Sequence, residues 1–441
     1  MSNNRKKKRR KLSAGTVCML ALLAVVTCGS ALVISRLSTG ASVDLSKLKM
    51  SVLNIQNDPA REAAATAEEE PGTAEPKAEK AIQEIPPARK ETPVPQENRE
   101  SFTLTVGGSI SLTGEVRKNS RSTDEKVADY TDIMMLLAPE INSDESIVFL
   151  ENILSDRHKV SDITAPAEAA ILLREAGFNI AACAFSQAYA HGEDGVEATM
   201  ETLDGAGIST LGIHHAEDSG NPETRTVNGI KTAFLQYTTG VPAKTRKNMT
   251  KDGTSHMVAE ADLSLISQEI RSVREQGAEA VIILLNWGKT GSNPDKAQKD
   301  LANGIAQAGA DLIIGNGSHV PQPAEYLTGL NGRSVLCVWS LGSLLNGDRS
   351  NIKRLSGYLL HVTVQRNGKG GVDILNPEYT PVYTWKYKQD GRIYYRCIAA
   401  GTDEPDGMDK EQRSNLSRAA ETVENVLKDS PLTERKQNDA E

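Results

Sequence analysis

The sequence predicts a layered α/β domain over residues 101–400, with central β-sheets flanked by helices, and three observations predict it. Short apolar runs alternate with segments whose apolar residues recur at helical spacing. Several of the runs, AVIILLNW (280–287) among them, are apolar almost throughout, as buried strands are. The composition also changes at Ser101, from an Ala, Glu, Pro and Lys-rich stretch to one with enough large apolar side chains to form a core.

Taken in order, FTLTVGG (102–108) reads as a strand entering a glycine-rich turn. IVFLEN (147–152) and NIAACAF (179–185) read as buried strands, joined through a helix over 165–176 that Gly177 stops. The alternation continues as helix 195–206, strand 231–237, helix 260–276 and strand 280–287. Helix 296–308 and strands 311–316 and 334–342 complete it. In such a domain the loops after the strand ends form the functional rim. Residues 357–387 are strand- and turn-rich instead and predict added antiparallel strands. The polar tail, 401–441, carries one amphipathic helical pattern over 408–428, with Leu416, Ala419, Ala420, Val423 and Leu427 on one stripe; the pattern alone leaves its docking open.

Upstream, residues 1–12 form a basic tail in which Arg5 to Lys11 are all cations. Residues 13–35 follow as a transmembrane signal anchor, with no charged side chain before Arg36, and their length suffices to cross a hydrocarbon core of about 30 Å. The cation asymmetry predicts a cytoplasmic amino terminus, a single pass and an extracytoplasmic main domain at the cell membrane. A cleaved signal peptide begins in the same way, but the apolar run is long and no strong small-x-small site closes it. Lipidation at Cys28 is a third reading, weakened by Val26-Thr27 before it. Residues 36–100 predict a disordered Ala/Glu/Pro/Lys-rich stalk that acts as a spacer.

The 441 residues carry a formal charge of −8 despite the basic start, so the remainder is acidic. An acidic body excludes general nucleic-acid binding, which needs clustered cations. Beyond the apolar segment only Cys183, Cys337 and Cys397 remain, too few and too scattered for a disulfide framework or a thiolate metal site. Cys183 and Cys337 sit in strand-like runs and read as small core residues. No G-x-S-x-G elbow surrounds Ser186, Ser318 or Ser340, and no G-x-x-x-x-G-K-[ST] loop is present. Trp287, Trp339 and Trp385 read as core caps, with a ligand groove as the competing reading.

Five segments, taken in their order and spacing, carry a family resemblance: REAGFNIAACAF, HGEDGVEATMETLDGAGISTLG, VIILLNWG, AGADLIIGNGSHVPQPAEY and VWSLGSLL. Over about residues 101–395 the chain resembles the CapA or PgsA-type poly-γ-glutamate capsule synthesis family. That resemblance implies a calcineurin-like metallophosphoesterase fold, whose strand-end motifs gather one or two divalent ions to polarise phosphoryl oxygen and activate water.

Against those motifs most ligand positions are altered. Gly108 stands where the first Asp is expected, and Phe149-Leu150-Glu151 replaces Asn-Leu-Glu. Phe185, Ser186 and Gln187 take the Asn-Asn-His places, and Asn286 precedes Trp287-Gly288 where His would be. Gly317 replaces the first His of the double-His motif, His319 keeps the second, and Ser343 replaces the Asn after Ser340-Leu341-Gly342. Glu151 and His319 are thus the remnant catalytic or metal candidates. Gly108, Gln187, His191, Asn286, Trp287, Asn316, Ser318 and Ser343 are candidates for a binding rim. A metal site needs three or four protein ligands, so the expectation is a non-catalytic binding protein without a cofactor.

The resemblance then implies work in biosynthesis, transport or localisation of a capsule or cell-envelope polymer such as poly-γ-glutamate. Its partners would be the membrane, an anionic envelope polymer and polymer-synthase membrane proteins. An acidic body attracts such a polymer only through a local basic patch or a cation bridge. The alternative is a hydrolase using Mn²⁺, Mg²⁺ or Zn²⁺ in a rearranged site around Glu151, His319 and His191.

Overall fold

The computed structural model describes residues 100–120, 130–216, 222–248, 256–401 and 404–435. The chain divides into Met1–Thr92 and Pro93–Glu441. The basic tail, the transmembrane anchor and the stalk up to residue 99 therefore lie outside the described residues. Among those that are described, no helix is long and apolar enough to cross a membrane.

Strands β1 (Ser101–Ile110) and β2 (Glu145–Leu150) open the first sheet, and the short pair β3 (Ile153–Leu154) and β4 (Thr164–Ala165) sits beside it. Strands β5 (Ile180–Ala182) and β6 (Ser209–Leu211) extend it. The second sheet takes β7 (Glu223–Val227), β8 (Ile230–Thr238), β9 (Ala280–Asn286), β10 (Leu312–Asn316), β11 (Ala324–Thr328) and β12 (Ser334–Val338). The chain then returns to the first sheet with β13 (Ser343–Leu345), β14 (Ser356–Arg366), β15 (Val372–Gln389), β16 (Arg392–Ala399) and β17 (Thr433–Glu434).

The first sheet runs β16-β15-β14-β1-β2-β5-β6, with β13 also on β1 and β17 also on β15. The second runs β11-β12-β10-β9-β8-β7. Strands β1, β2, β5 and β6 are parallel, as are β8, β9, β10 and β12, so each sheet has one parallel half whose carboxyl ends share an edge. The strand-rich stretch after residue 357 is antiparallel, as its turn content requires.

Alternation within the strands makes the layers. Phe102, Leu104, Val106 and Ile147 meet Phe234, Ile282, Leu284 and Ile314 between the sheets. The alternate residues Leu235, Val281, Ile283 and Ile313 face outward onto α5 (Leu263–Glu275) and α6 (Lys296–Ala308). Val148, Ala181 and Cys183 pack against α2 (Ala170–Ala176) and α3 (Gly192–Gly205) on the opposite side. The short helices α1 (Gly114–Asn119) and α4 (Ala243–Arg246) lie in connections. Cys183, Cys337 and Cys397 are all free and buried, and burial pushes each thiol well above its ordinary range.

Two local outcomes differ from the sequence pattern and one that it left open is settled. The glycine-rich turn expected at the end of 102–108 is strand, since β1 runs on through Gly107 and Gly108 to Ile110, where it pairs with β2 and β13. The helix expected from residue 165 begins only at Ala170, because Thr164–Ala165 pairs as β4 and Pro166 holds an extended lead-in before a 3-10 turn. The tail helix, whose docking the pattern left open, packs as α7 (Lys410–Leu427) on β14 and β15. Asp409 and Gln412 cap its start reciprocally, and Leu416, Ala419, Val423 and Leu427 are buried. Beyond it, the Ser430 hydroxyl accepts from the Ala324 amide of β11, and β17 pairs with β15. Residues 404–435 thus belong to the same sandwich as 101–400 and join its two sheets at one end. Val423→Ala, at a site with no exposure, is expected to cost about 2 kcal/mol, read as a lowered urea midpoint with unchanged m-value.

Candidate functional site

The parallel halves bring Ser109 (β1), Glu151 (after β2), Asn286 (the end of β9), and Asn316, Ser318 and His319 (at and after β10) to one edge. Asn286 Nδ2 donates to Glu151 Oε1 at 3.0 Å. His319 Nε2 lies 3.4 Å from Glu151 Oε2, and His319 Nδ1 lies 3.4 Å from Ser109 Oγ. The two remnant residues therefore do meet, with Asn286 on the other oxygen of the same carboxylate. The pair is largely covered, with side-chain exposures of 10% for Glu151 and 20% for His319. Glu151 Oε2 faces His319 Nε2, and the Ser109 hydroxyl beside Nδ1 also donates to the Gly342 carbonyl at 3.4 Å.

Backbone geometry holds this arrangement. His319 sits at φ +55°, a left-handed conformation uncommon for a residue with a Cβ. Its carbonyl accepts from Ser343 Oγ at 3.2 Å. Beneath it, Ser318 Oγ donates to Ser340 Oγ, which donates to Asn316 Oδ1, while Asn316 Nδ2 is buried without a partner. Trp287 stacks on Trp339 and donates Nε1 to the Trp339 carbonyl at 3.0 Å, closing the layer below Gly315.

The two glycines that replace family ligands are pinned by close backbone approach. A Cβ at Gly108 would lie 2.3 Å from the Gly342 carbonyl oxygen, which accepts from the Ser109 amide at 3.0 Å. A Cβ at Gly317 would lie 2.8 Å from the Trp287 carbonyl oxygen, and Gly317 adopts φ +107°. Side chains at these two places would have to displace backbone.

The other rim candidates divide between the layer beneath this edge and places away from it. Trp287, Asn316, Ser318 and Ser343 are at most 2% exposed, so they support the site from below and do not form a rim. The reason is the close glycine approach, which draws the β10 and β12 loops down onto the strand ends. Gln187 accepts from Thr245 Oγ1 at 3.3 Å. His191 bonds Thr164 Oγ1 at 2.8 Å and stacks on His158 at 4.1 Å. Desolvation and the neighbouring His158 hold its pKa below the usual imidazole value. Ser109 was not among the candidates, because it follows Val106-Gly107-Gly108, which reads in sequence as a glycine-rich turn; only the fold shows the serine beside His319.

A family model described as "Bacterial capsule synthesis protein PGA_cap" matches residues 103–348. The chain belongs to that family. It is 24% identical over 291 residues to "Capsule biosynthesis protein CapA" of Bacillus anthracis, covering 64% of this chain and 69% of that protein. It is 22% identical over 280 residues to "PGA biosynthesis protein CapA" of Bacillus subtilis (strain 168), covering 60% and 70%. Among solved structures, the calcineurin-like phosphoesterase YfkN from Bacillus subtilis aligns with a TM-score of 0.37 and 11% identity, over 75% of this chain and 98% of that one.

The residues of this PGA_cap chain do not fit a catalytic divalent ion. One carboxylate, one imidazole and the Asn286 amide meet at the strand ends, with the amide turned Nδ2 toward the carboxylate, so fewer donors are free than the three or four a tight site takes. Both Glu151 oxygens already face nitrogens of the protein, and no group of three or more His, Cys, Asp or Glu able to hold a metal occurs among the described residues. What remains is a hydroxyl–imidazole–carboxylate chain in which Ser109 is 1% exposed and so closed to a large substrate.

Proposed function

We propose that the chain is a membrane-anchored, extracytoplasmic capsule synthesis protein that binds an anionic envelope polymer, poly-γ-glutamate first, and has given up hydrolysis. The single observation that carries this reading is the contact at Gly108, where the Gly342 carbonyl occupies the space a ligand side chain would need. Membership of the PGA_cap family and the names of the two Bacillus relatives support the polymer. The apolar run at residues 13–35 and the cations before it support the anchor and its orientation.

The test incubates the purified full chain with Mn²⁺ or Zn²⁺, then measures bound metal by mass spectrometry and turnover of a chromogenic phosphodiester. Substoichiometric metal and no turnover above blank are expected. Stoichiometric metal with turnover that disappears in Glu151→Gln and His319→Ala would replace this reading with a hydrolase.

A further inference from the structure

A second feature lies beyond the family-matched residues 103–348, on the β15–β16 hairpin. Cross-strand pairing puts Trp385 opposite Arg396 and Tyr387 opposite Tyr394, so these four share one face. Trp385 stacks on Tyr387 at 4.2 Å and Tyr387 on Tyr394 at 5.3 Å, while the Arg396 guanidinium lies 5.5 Å from the Tyr387 ring centre. Where α7 and Met408 stop covering this face, a cavity of about 450 Å³ opens, walled by Trp385, Tyr387, Lys388, Arg396, Leu136 and Asp406.

The polar chemistry of that cavity is one-sided. Trp385 is 3% exposed and its indole N–H has no acceptor. The Arg396 Nε–H is likewise buried without an acceptor, although Arg396 Nη2 reaches Asp132 at 3.3 Å. Two shielded donors on residues that line one cavity lack what a carboxylate or carbonyl oxygen supplies, and leaving them unmade costs more than a surface bond returns. Lys388 lines the same space, and Arg392 shares the strand face with Arg396; Asp132, Asp390 and Asp406 are the opposing charges.

We infer that the hairpin cavity is a binding subsite for a carboxylate-bearing chain, with Trp385 Nε1 and Arg396 Nε donating to its oxygens, Lys388 supplying charge and the ring stack forming the wall. The polymer's identity rests on the function proposed above; the subsite's chemistry does not. It is distinct from the Glu151–His319 edge, so polymer capture and the inherited pocket are separable.

The experiment titrates the purified full chain with a defined poly-γ-glutamate oligomer and, separately, with oligogalacturonate, by calorimetry at two salt concentrations. Trp385→Phe keeps a ring and removes the N–H; Lys388→Glu reverses an exposed charge without touching the core. Each is expected to weaken binding about tenfold, with affinity falling as salt rises, and near-UV circular dichroism verifies the fold. Tight binding of poly-γ-glutamate that neither folded variant alters overturns the subsite and leaves the proposed function standing. Binding of oligogalacturonate alone, weakened by both variants, upholds the subsite and removes poly-γ-glutamate from the proposed function. Binding of neither oligomer overturns the subsite.

Discussion

Gly108→Asp, which puts back the carboxylate that the family motif carries, is expected to destabilise the domain by about 4 kcal/mol or more and to bind no metal. The new Cβ meets the Gly342 carbonyl oxygen at 2.3 Å, and that oxygen is fixed by the Ser109 amide. Neither partner is a flexible side-chain tip. Relief requires β1 and the turn before β13 to separate, which breaks the pairing of Ser109 with Ser343. Overpacking alone typically costs about 1–3 kcal/mol, and a buried carboxylate with no cation adds to it. Gly108→Ala isolates the steric part and is expected to cost about 2–3 kcal/mol. Thermal and urea unfolding measure both, with Mn²⁺ calorimetry on the Asp variant. An Asp variant that melts with the parent and takes up the ion would mean that this edge is open.

The second large effect is acid sensitivity centred on His361. This imidazole is buried on β14, accepts at Nδ1 from Arg435 Nη1 at 3.1 Å, and donates from Nε2 to Thr380 Oγ1 at 3.1 Å. Thr105 Oγ1 also lies 3.1 Å from Nδ1, and Glu378 is its register partner on β15. Burial first, and the Arg435 charge second, push its pKa down to about 3. The unfolded chain takes up the proton near its ordinary value of about 6.5 while the folded one refuses it. Stability is therefore whole above about pH 6.5 and is lost as pH falls toward 3. At about 1.4 kcal/mol per pH unit between those values, the ceiling is about 5 kcal/mol. His361→Gln is expected to lose about 1–3 kcal/mol at pH 7.5 but to show a shallower decline between pH 6.5 and 4. Parallel pH profiles for the two proteins, from urea titrations, would remove His361 as the cause.

The parallel halves of both sheets were legible because covered strands leave an unmistakable local pattern. The 280–287 run became β9, buried from end to end, and helix 296–308 emerged with the same bounds between Asp295 and Gly309. The remnant pair was legible too, since Glu151 and His319 survive in recognisable motifs. What was not legible depends on contacts between residues far apart in the chain. Ser109 meets His319 across 210 positions, and Gly108 meets Gly342 across a similar span. Trp287, Asn316, Ser318 and Ser343 follow strand ends in sequence, yet whether such loops rise or fold down is set by the backbone of a neighbouring strand. The hairpin cavity was hidden for another reason: its ring stack alternates along two strands and exists only once Tyr387 and Tyr394 face each other.

Strand β1 is the first element of the sandwich and lies inside its sheet, paired with β14 on one side and β2 on the other. The residue before it, Glu100, is held to Arg366, whose guanidinium also grips Glu279. Any tension arriving along the preceding chain is thus delivered lengthwise into a strand bonded on both flanks, where many bonds must slip together and cannot unzip one at a time. Pulled from its amino-terminal side, such a domain is mechanically hard to unravel.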